Sequence, residues 1–85
     1  MPTVIVTGGT QGIGADIARG FIEAGWAVVI GARTQSGLAE EVHDQLKFAP
    51  LDVRVARDHI RLVELALGWT GQLDCYVNCA GRSQW

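Results

Sequence analysis

Three glycines at fixed spacing follow a short β-branched segment near the N-terminus. Gly8, Gly12 and Gly14 come directly after residues 3–7 and lead into a segment with helical periodicity. In such a strand–loop–helix unit the first glycine permits a sharp turn, the second lets a pyrophosphate approach the backbone, and the third lets the helix pack closely on the strand. The free N–H groups at the start of that helix bind the anion. We therefore predict a dinucleotide-binding loop rather than a Walker loop, because no Gly-Lys-Ser/Thr sequence follows.

An arginine after the second predicted strand bears on the choice of nucleotide. Arg33 lies nineteen residues after Gly14, and no acidic residue occurs between Gly31 and Glu40. Units that prefer NAD place an acid about 20 residues past the loop, on the ribose hydroxyls. A guanidinium can instead pair with a 2′-phosphate through two parallel hydrogen bonds. We expect NADP(H) to be favoured and NAD(H) to remain possible; the alternative is that Arg33 is an ordinary surface residue.

Alternating strands and helices must position these residues. Apolar runs predict strands at 3–7, 26–30, 48–51 and 73–78, and helical periodicity predicts helices at 12–24, 37–46 and 57–69. Unbroken β-branched runs are typical of strands covered on both faces, and this alternation indicates an α/β fold with a parallel sheet. Ile13, Ile17 and Phe21 predict one apolar face on the first helix, and Pro50 is suited to an edge strand.

Composition excludes several classes of protein. The chain has 85 residues, a net charge of -2 and 19% charged residues, which argues against a nucleic-acid module with a basic face. The longest apolar run, residues 26–30, is too short to cross a bilayer. The N-terminus lacks the basic region of a signal peptide, so we expect a cytoplasmic protein.

The two cysteines and two histidines are not expected to form a site. In a strand the Cα atoms of Cys75 and Cys79 would lie about 13 Å apart, whereas a disulfide needs less than about 7 Å. Neither His43 nor His59 is near them in sequence, so a metal site is poorly supported. We expect buried, reduced thiols and solvent-facing helical histidines.

Three motifs in order resemble the main branch of the short-chain dehydrogenase/reductase family. Residues 7–14 match its Thr-Gly-x-x-x-Gly-x-Gly pattern, and Asp52 in Leu-Asp-Val looks like the acid that contacts adenine. The segment 77–81, Val-Asn-Cys-Ala-Gly, is similar to the family's Asn-Asn-Ala-Gly ending, with Cys79 in place of the second Asn. The resemblance implies a Rossmann-type sheet with strand order 3-2-1-4. It also implies that Asn78 ties the fourth strand to its neighbours, and no role is carried over to Cys79.

The motifs and the resemblance together assign a set of cofactor-binding residues. In that assignment Ala80 and Gly81 would lie against the ribose on the nicotinamide side. The full set is Gly8, Thr10, Gln11, Gly12, Ile13, Gly14, Arg33, Asp52, Val53, Asn78, Ala80 and Gly81.

No catalytic residue is expected in this chain, and no metal. The family transfers a hydride between nicotinamide and a carbonyl or alcohol substrate, using a Tyr, a nearby Lys and a Ser. A cation beside a phenol favours the phenolate, but the only Tyr, Tyr76, has Ala80 four residues later, and the only Lys is Lys47. Ser36 and Ser83 have no matching partners. We expect Tyr76 to pack in the strand with its hydroxyl bonded.

The length predicts that the fold is incomplete. Stopping at Trp85 would leave the fourth strand with an open edge, which is an aggregation hazard. We interpret residues 1–85 as the N-terminal dinucleotide-binding part of a larger enzyme. A C-terminal fragment or second chain would complete it, and the completed unit would form a homodimer or homotetramer. The third helix, apolar on more than one face, would serve a subunit interface or the core. The alternative function is a non-catalytic nucleotide-binding or structural subunit, which Cys79 slightly favours.

Overall fold

Two β-branched strands form the centre of a parallel sheet. The computed structural model describes residues 1–8, 12–35, 37–40 and 43–79. In β1 (Thr3–Thr7) every residue is buried, and in β2 (Ala27–Ala32) all but the last are. The outer strands are β3 (Leu46–Pro50) and β4 (Cys75–Asn78). All neighbours pair in parallel in the order β3-β2-β1-β4, which confirms the predicted fold class.

Two helices cover the two faces of this sheet. Successive side chains of a strand point to opposite faces, so Val4, Val6, Val28 and Ile30 face α1 (Gly12–Glu23), where Ala15 and Ala18 are buried. Ile5 and Val29 face α2 (Ala56–Thr70), where Leu62 and Ala66 are buried. Both central strands are therefore covered on both sides, as their unbroken apolar runs predict.

The predicted helix over 37–46 is wrong. Among the described residues of this segment, the structure has a short 3₁₀ helix at Gly37–Glu40, and β3 already begins at Leu46. Gln45 explains the difference, because its carbonyl accepts the Val28 N–H at 2.7 Å and its side-chain amide donates to the Ile22 and Trp26 carbonyls. Pairing with β2 therefore draws the chain into the sheet before a second helix can form.

Three side-chain predictions need correction. Ile13 does not join an apolar helix face but is 77% exposed, while Gly14 is among the buried residues of α1. His43 is exposed but lies outside any helix, and His59 is half-buried and hydrogen-bonded on α2. Cys75 and Cys79 are free thiols, but they are half-buried rather than buried.

The outer strands form the two edges of the described sheet. Gln45 and Leu51 both hydrogen-bond to β2 through their backbones, and inward and outward bonding alternates along a strand. Pro50 therefore turns its missing N–H away from the sheet, as expected for an edge. Along β4, half-buried and exposed residues alternate. Among the described residues, no helix is long and apolar enough to span a membrane.

Candidate cofactor site

The carboxyl ends of four parallel strands meet at one edge, where the predicted site residues lie. β1 ends at Thr7, β2 at Ala32, β3 at Pro50 and β4 at Asn78. Ligands of open α/β sheets bind outside these ends. The fold therefore brings the glycine loop, Arg33, Asp52 and Asn78 to the same edge.

Gly8 and Gly12, the described glycines at the two ends of the glycine loop, have left-handed backbone conformations. Gly8 and Gly12 have φ values of +71° and +61°, which L side chains rarely adopt. The Gly8 N–H donates to the Gly31 carbonyl at 2.7 Å, so the turn is tied to β2. α1 begins at Gly12, and no acidic residue occupies its first turn, so no carboxylate competes for its N–H groups. Thr10 and Gln11 lie outside the described residues.

Gly31 is a structural residue that the sequence analysis missed. A Cβ at this position would lie 2.7 Å from Leu62 Cδ1 and 3.1 Å from Leu51 Cδ2. The close approach of α2 to β2 therefore requires a residue without a side chain. A glycine inside a strand pattern is the signal that indicates such an approach.

Asp52 is engaged by Arg54 on both carboxylate oxygens. Arg54 Nε donates to Oδ1 at 3.1 Å and Nη2 to Oδ2 at 3.0 Å, while the Arg54 backbone N–H donates to Oδ1 at 3.0 Å. These bonds lower the pKa of Asp52 from 3.8 to about 2, with a smaller contribution from the charge of Arg33. The acid after β3 is therefore ionised and oriented at neutral pH.

Two residues of α2 hold the loop after β3. Asp58 accepts the Asp52 backbone N–H at 2.9 Å, and His59 Nε2 lies 2.9 Å from the Val53 carbonyl. The other ring nitrogen of His59 hydrogen-bonds the Tyr76 hydroxyl. These roles were not expected from the sequence. An acid in the first turn of a helix is the only local signal for one of them.

Arg33 borders a shallow depression beside this loop. The depression has a volume of about 210 Å³ and is lined by Pro50, Leu51, Asp52 and Asp58 as well. Arg33 is exposed and has no ion-pair partner within 4 Å among the described residues. Its guanidinium is therefore available to an anion at the carboxyl end of β2.

Asn78 joins β4 to β1. The Thr7 hydroxyl donates to Asn78 Oδ1 at 2.8 Å, and the Cys79 N–H donates to the Thr7 carbonyl at 3.0 Å. This linkage is the one that the resemblance implies for Asn78. Ala80 and Gly81, which follow directly, lie outside the described residues.

Tyr76 lies on the exposed face of β4 and is 37% exposed, so the expectation that it packs in the strand is wrong. Burial raises the pKa of its hydroxyl above the ordinary value, which disfavours the phenolate. Its hydroxyl is bonded to His59, as expected, while Lys47 lies over the Trp69 ring on the other side of α2. Within the described ranges, no group of three His, Cys, Asp or Glu side chains could hold a metal ion.

The fold and the placement of these residues define a Rossmann-type nucleotide-binding unit. Residues 2–85 match the family described as short chain dehydrogenase, and the chain belongs to this family. The resemblance seen in the motifs is thereby confirmed.

Sequence relatives in this family are dehydrogenases. L-fucose dehydrogenase of Mus musculus is 43% identical over 81 residues, which cover 92% of this chain and 29% of that protein. The 3-hydroxyacyl-CoA dehydrogenase type-2 of Drosophila melanogaster is 34% identical over 82 residues, which cover 93% of this chain and 32% of that protein. The chain therefore spans about a third of the length of these curated relatives.

Solved structures share the fold of the chain. A short chain dehydrogenase from Bacillus anthracis superposes with a TM-score of 0.83 at 31% identity, covering 94% of this chain and 34% of that one. A variant actinorhodin polyketide ketoreductase solved with NADPH also superposes with a TM-score of 0.83 at 33% identity. The match covers 95% of this chain and 33% of that one.

Proposed function

We propose that this chain is the NADP(H)-binding part of an oxidoreductase that transfers a hydride between nicotinamide and a carbonyl or alcohol substrate. The observation that carries the proposal is the gathering of the glycine turn, Arg33, Asp52 and Asn78 at the carboxyl edge of a short-chain dehydrogenase sheet. A structural neighbour was solved with NADPH, and the sequence relatives are dehydrogenases. When bound, the nicotinamide would accept or donate the hydride.

Each predicted site residue has a role in this proposal. The backbone around Gly8 and Gly12, with Thr10, Gln11 and Ile13, would surround the pyrophosphate, and buried Gly14 would keep α1 close to β1. Ile13, 77% exposed, would contact the cofactor rather than the core.

The remaining residues would hold the two ends of the dinucleotide. Asp52 and Val53 would contact the adenine, and Arg33 the 2′-phosphate. Asn78 would support the nicotinamide side through Thr7, followed by Ala80 and Gly81. NADP(H) is favoured because Arg33 has no carboxylate partner within 4 Å in the described part of the chain, and NAD(H) remains possible.

Substitution of Arg33 tests the cofactor preference. Arg33→Ala should weaken NADPH binding by about 1.5–3 kcal/mol, the usual worth of a charged hydrogen bond, and NADH binding far less. Titration of both cofactors into the natural protein measures this. Arg57→Ala, which removes an exposed arginine from the first turn of α2, is the control for net charge. Unchanged NADPH affinity in Arg33→Ala, or equal or stronger NADH binding by the parent protein, would remove the NADP(H) preference.

We further propose that another polypeptide segment supplies the catalytic residues and covers the open β4 edge of the sheet. β4 has no partner on its outer side among the described residues, and Tyr76 on this strand is 37% exposed. On α2, Ile60 and Leu67 are 56% and 45% exposed. Exposed apolar side chains together with an open strand edge favour a covering segment. A C-terminal fragment or second chain would supply it, together with the catalytic Ser, Tyr and Lys, for which this chain has no matching set.

The assembly and location of the completed protein remain predictions. We propose a homodimer or homotetramer of the completed unit, located in the cytoplasm. The sequence encoded after Trp85 is the direct test of the catalytic part: a Ser followed by Tyr-x-x-x-Lys supports it, and its absence from the whole natural protein contradicts it.

A second candidate function rests on Cys79. The family's second Asn is replaced here by a half-buried thiol, so a non-catalytic subunit that binds nucleotide for stability or sensing is the alternative. NADPH oxidation by the natural protein with a panel of carbonyl substrates separates the two. Tight NADPH binding without turnover on any of them favours the alternative.

A further inference from the structure

The depression beside Arg33 has more acidic than basic side chains among the described residues. Its lining includes the carboxylates of Asp52 and Asp58 and one described cation, Arg33. Arg33 acts on this environment already, because its charge contributes to lowering the pKa of Asp52. Taken alone, these three side chains carry a net charge of -1, which would repel a phosphate and could hold the guanidinium of Arg33.

Each of the two carboxylates has its own arginine outside the depression. Arg54 pairs with Asp52 through both oxygens, with the shorter contact at 3.0 Å. Arg61, one helical turn after Asp58, lies 3.5 Å from its carboxylate. Neither Arg54 nor Arg61 lines the depression, so each offsets a carboxylate charge without occupying it. Three arginines and two aspartates then give the cluster a net charge of +1.

We propose that Arg54 and Arg61 are specificity-determining residues, which by pairing with Asp52 and Asp58 leave Arg33 free to bind the 2′-phosphate. The inference rests on the proposed NADP(H) site and adds a reason for its selectivity. Arg54 has the larger effect on cofactor selectivity, because it binds both carboxylate oxygens of Asp52 at short distances. Neither arginine needs to touch the cofactor.

The test is the ratio of the NADPH and NADH dissociation constants in the natural protein. Arg54→Ala leaves Asp52 unpaired, so the selectivity for NADPH should fall by about 1.5- to fivefold, the range expected for a largely exposed charge pair. Arg61→Ala should lower it less. Arg54→Lys keeps the positive charge but loses the planar guanidinium that makes two parallel hydrogen bonds, so it should give an intermediate ratio.

A double variant separates charge from structure. In Asp52→Asn with Arg54→Ala, both charges are removed, so the ratio should return towards that of the parent protein even if both cofactors bind more weakly. A merely structural role for Arg54 would not restore the ratio in this way. Because the ratio compares two ligands on the same folded protein, partial unfolding of a variant does not alter it.

Two controls decide between the inference and the function on which it rests. If Arg33→Ala lowers the ratio and Arg54→Ala does not, the inference is overturned while the NADP(H) site stands. If Arg57→Ala lowers the ratio as much as Arg54→Ala, general charge rather than pairing is responsible, which also overturns it. If Arg33→Ala itself leaves the ratio unchanged, the proposed NADP(H) preference fails first.

Discussion

Hydrogen bonds to neighbouring groups keep two aspartates ionised, Asp74 before the start of β4 and Asp52 after the end of β3. Asp74 accepts the Gln72 amide at 2.7 Å and the Thr3 backbone N–H at 2.8 Å, and these bonds lower the pKa of its carboxyl. Asp52 is held in the same way by Arg54. One acid therefore ties the start of β4 to β1, and the other shapes the candidate site.

These two pKa shifts predict the direction of acid sensitivity. A carboxyl whose pKa is lowered by folding stabilises the fold above its unfolded pKa, and this contribution is lost as the pH falls through the folded pKa. The free energy of unfolding should therefore decrease as the pH falls from about 4 to about 2. Denaturant titrations of the natural protein across this range measure it.

A neutral variant provides the comparison for that acid sensitivity. Asp52→Asn together with Asp74→Asn keeps a carbonyl acceptor at each position but removes the titration. Its free energy of unfolding should fall less over the same interval than that of the parent protein. Identical acid dependence of the two proteins would contradict the assignment.

At the scale of elements, the contact between α2 and β2 depends on the missing side chain of Gly31. The Leu62 side chain fills the space that a Cβ would occupy, and Leu62 is fully buried. The Gly31 carbonyl also accepts the Gly8 N–H. Helix packing and the geometry of the glycine turn are therefore coupled at one position.

Gly31→Ala should destabilise the protein by about 1–3 kcal/mol, the usual cost of overpacking a core. The new Cβ would lie 2.7 Å from Leu62 Cδ1 and 3.2 Å from Leu51 Cβ, so the buried side chains must shift. Equilibrium unfolding in denaturant is the measurement.

Gly20→Ala is the matched control for that substitution. Gly20 is exposed on α1, and a Cβ there would meet nothing within 4 Å. This variant should gain about 0.5–1 kcal/mol, because alanine is the better helix former. A destabilisation of similar size in both variants would show that the loss at Gly31 does not come from the Leu62 contact.

At the scale of the whole molecule, the two sheet edges differ. β3 ends in Pro50, which protects an edge because it cannot donate a hydrogen bond. β4 ends in Asn78 and carries the exposed Tyr76, with no strand on its outer side among the described residues. The β4 edge is therefore the side on which we expect further polypeptide.

The natural protein should accordingly contain more than this 9.1 kDa chain. Its native mass should exceed that value, and amide hydrogen exchange along β4 should be slow, because a covering segment would protect the edge. Native and denaturing mass spectrometry separate a longer chain from an associated second chain. A folded 9.1 kDa monomer would refute the prediction.

Much of the fold was predictable because its signals are local. The β-branched run at 3–7 and the buried second strand require cover on both faces, and the glycine spacing identifies the loop. The motifs also placed Asn78 correctly against β1. The bounds of α2 were predicted within one residue at each end, because its Leu/Ala periodicity is strong and Gly71 follows it.

The amino-acid sequence by itself determined the parallel sheet, the family and the identity of the candidate site residues, because short-range patterns encode all three. Only the tertiary structure decided that Gln45 draws residues 43–46 out of a helix, that Ile13 faces outward and that Gly31 admits Leu62. It also decided that Arg54 pairs with Asp52 and that Arg61 pairs with Asp58. These outcomes depend on which groups meet in space, and such contacts override local propensity once the sheet has formed.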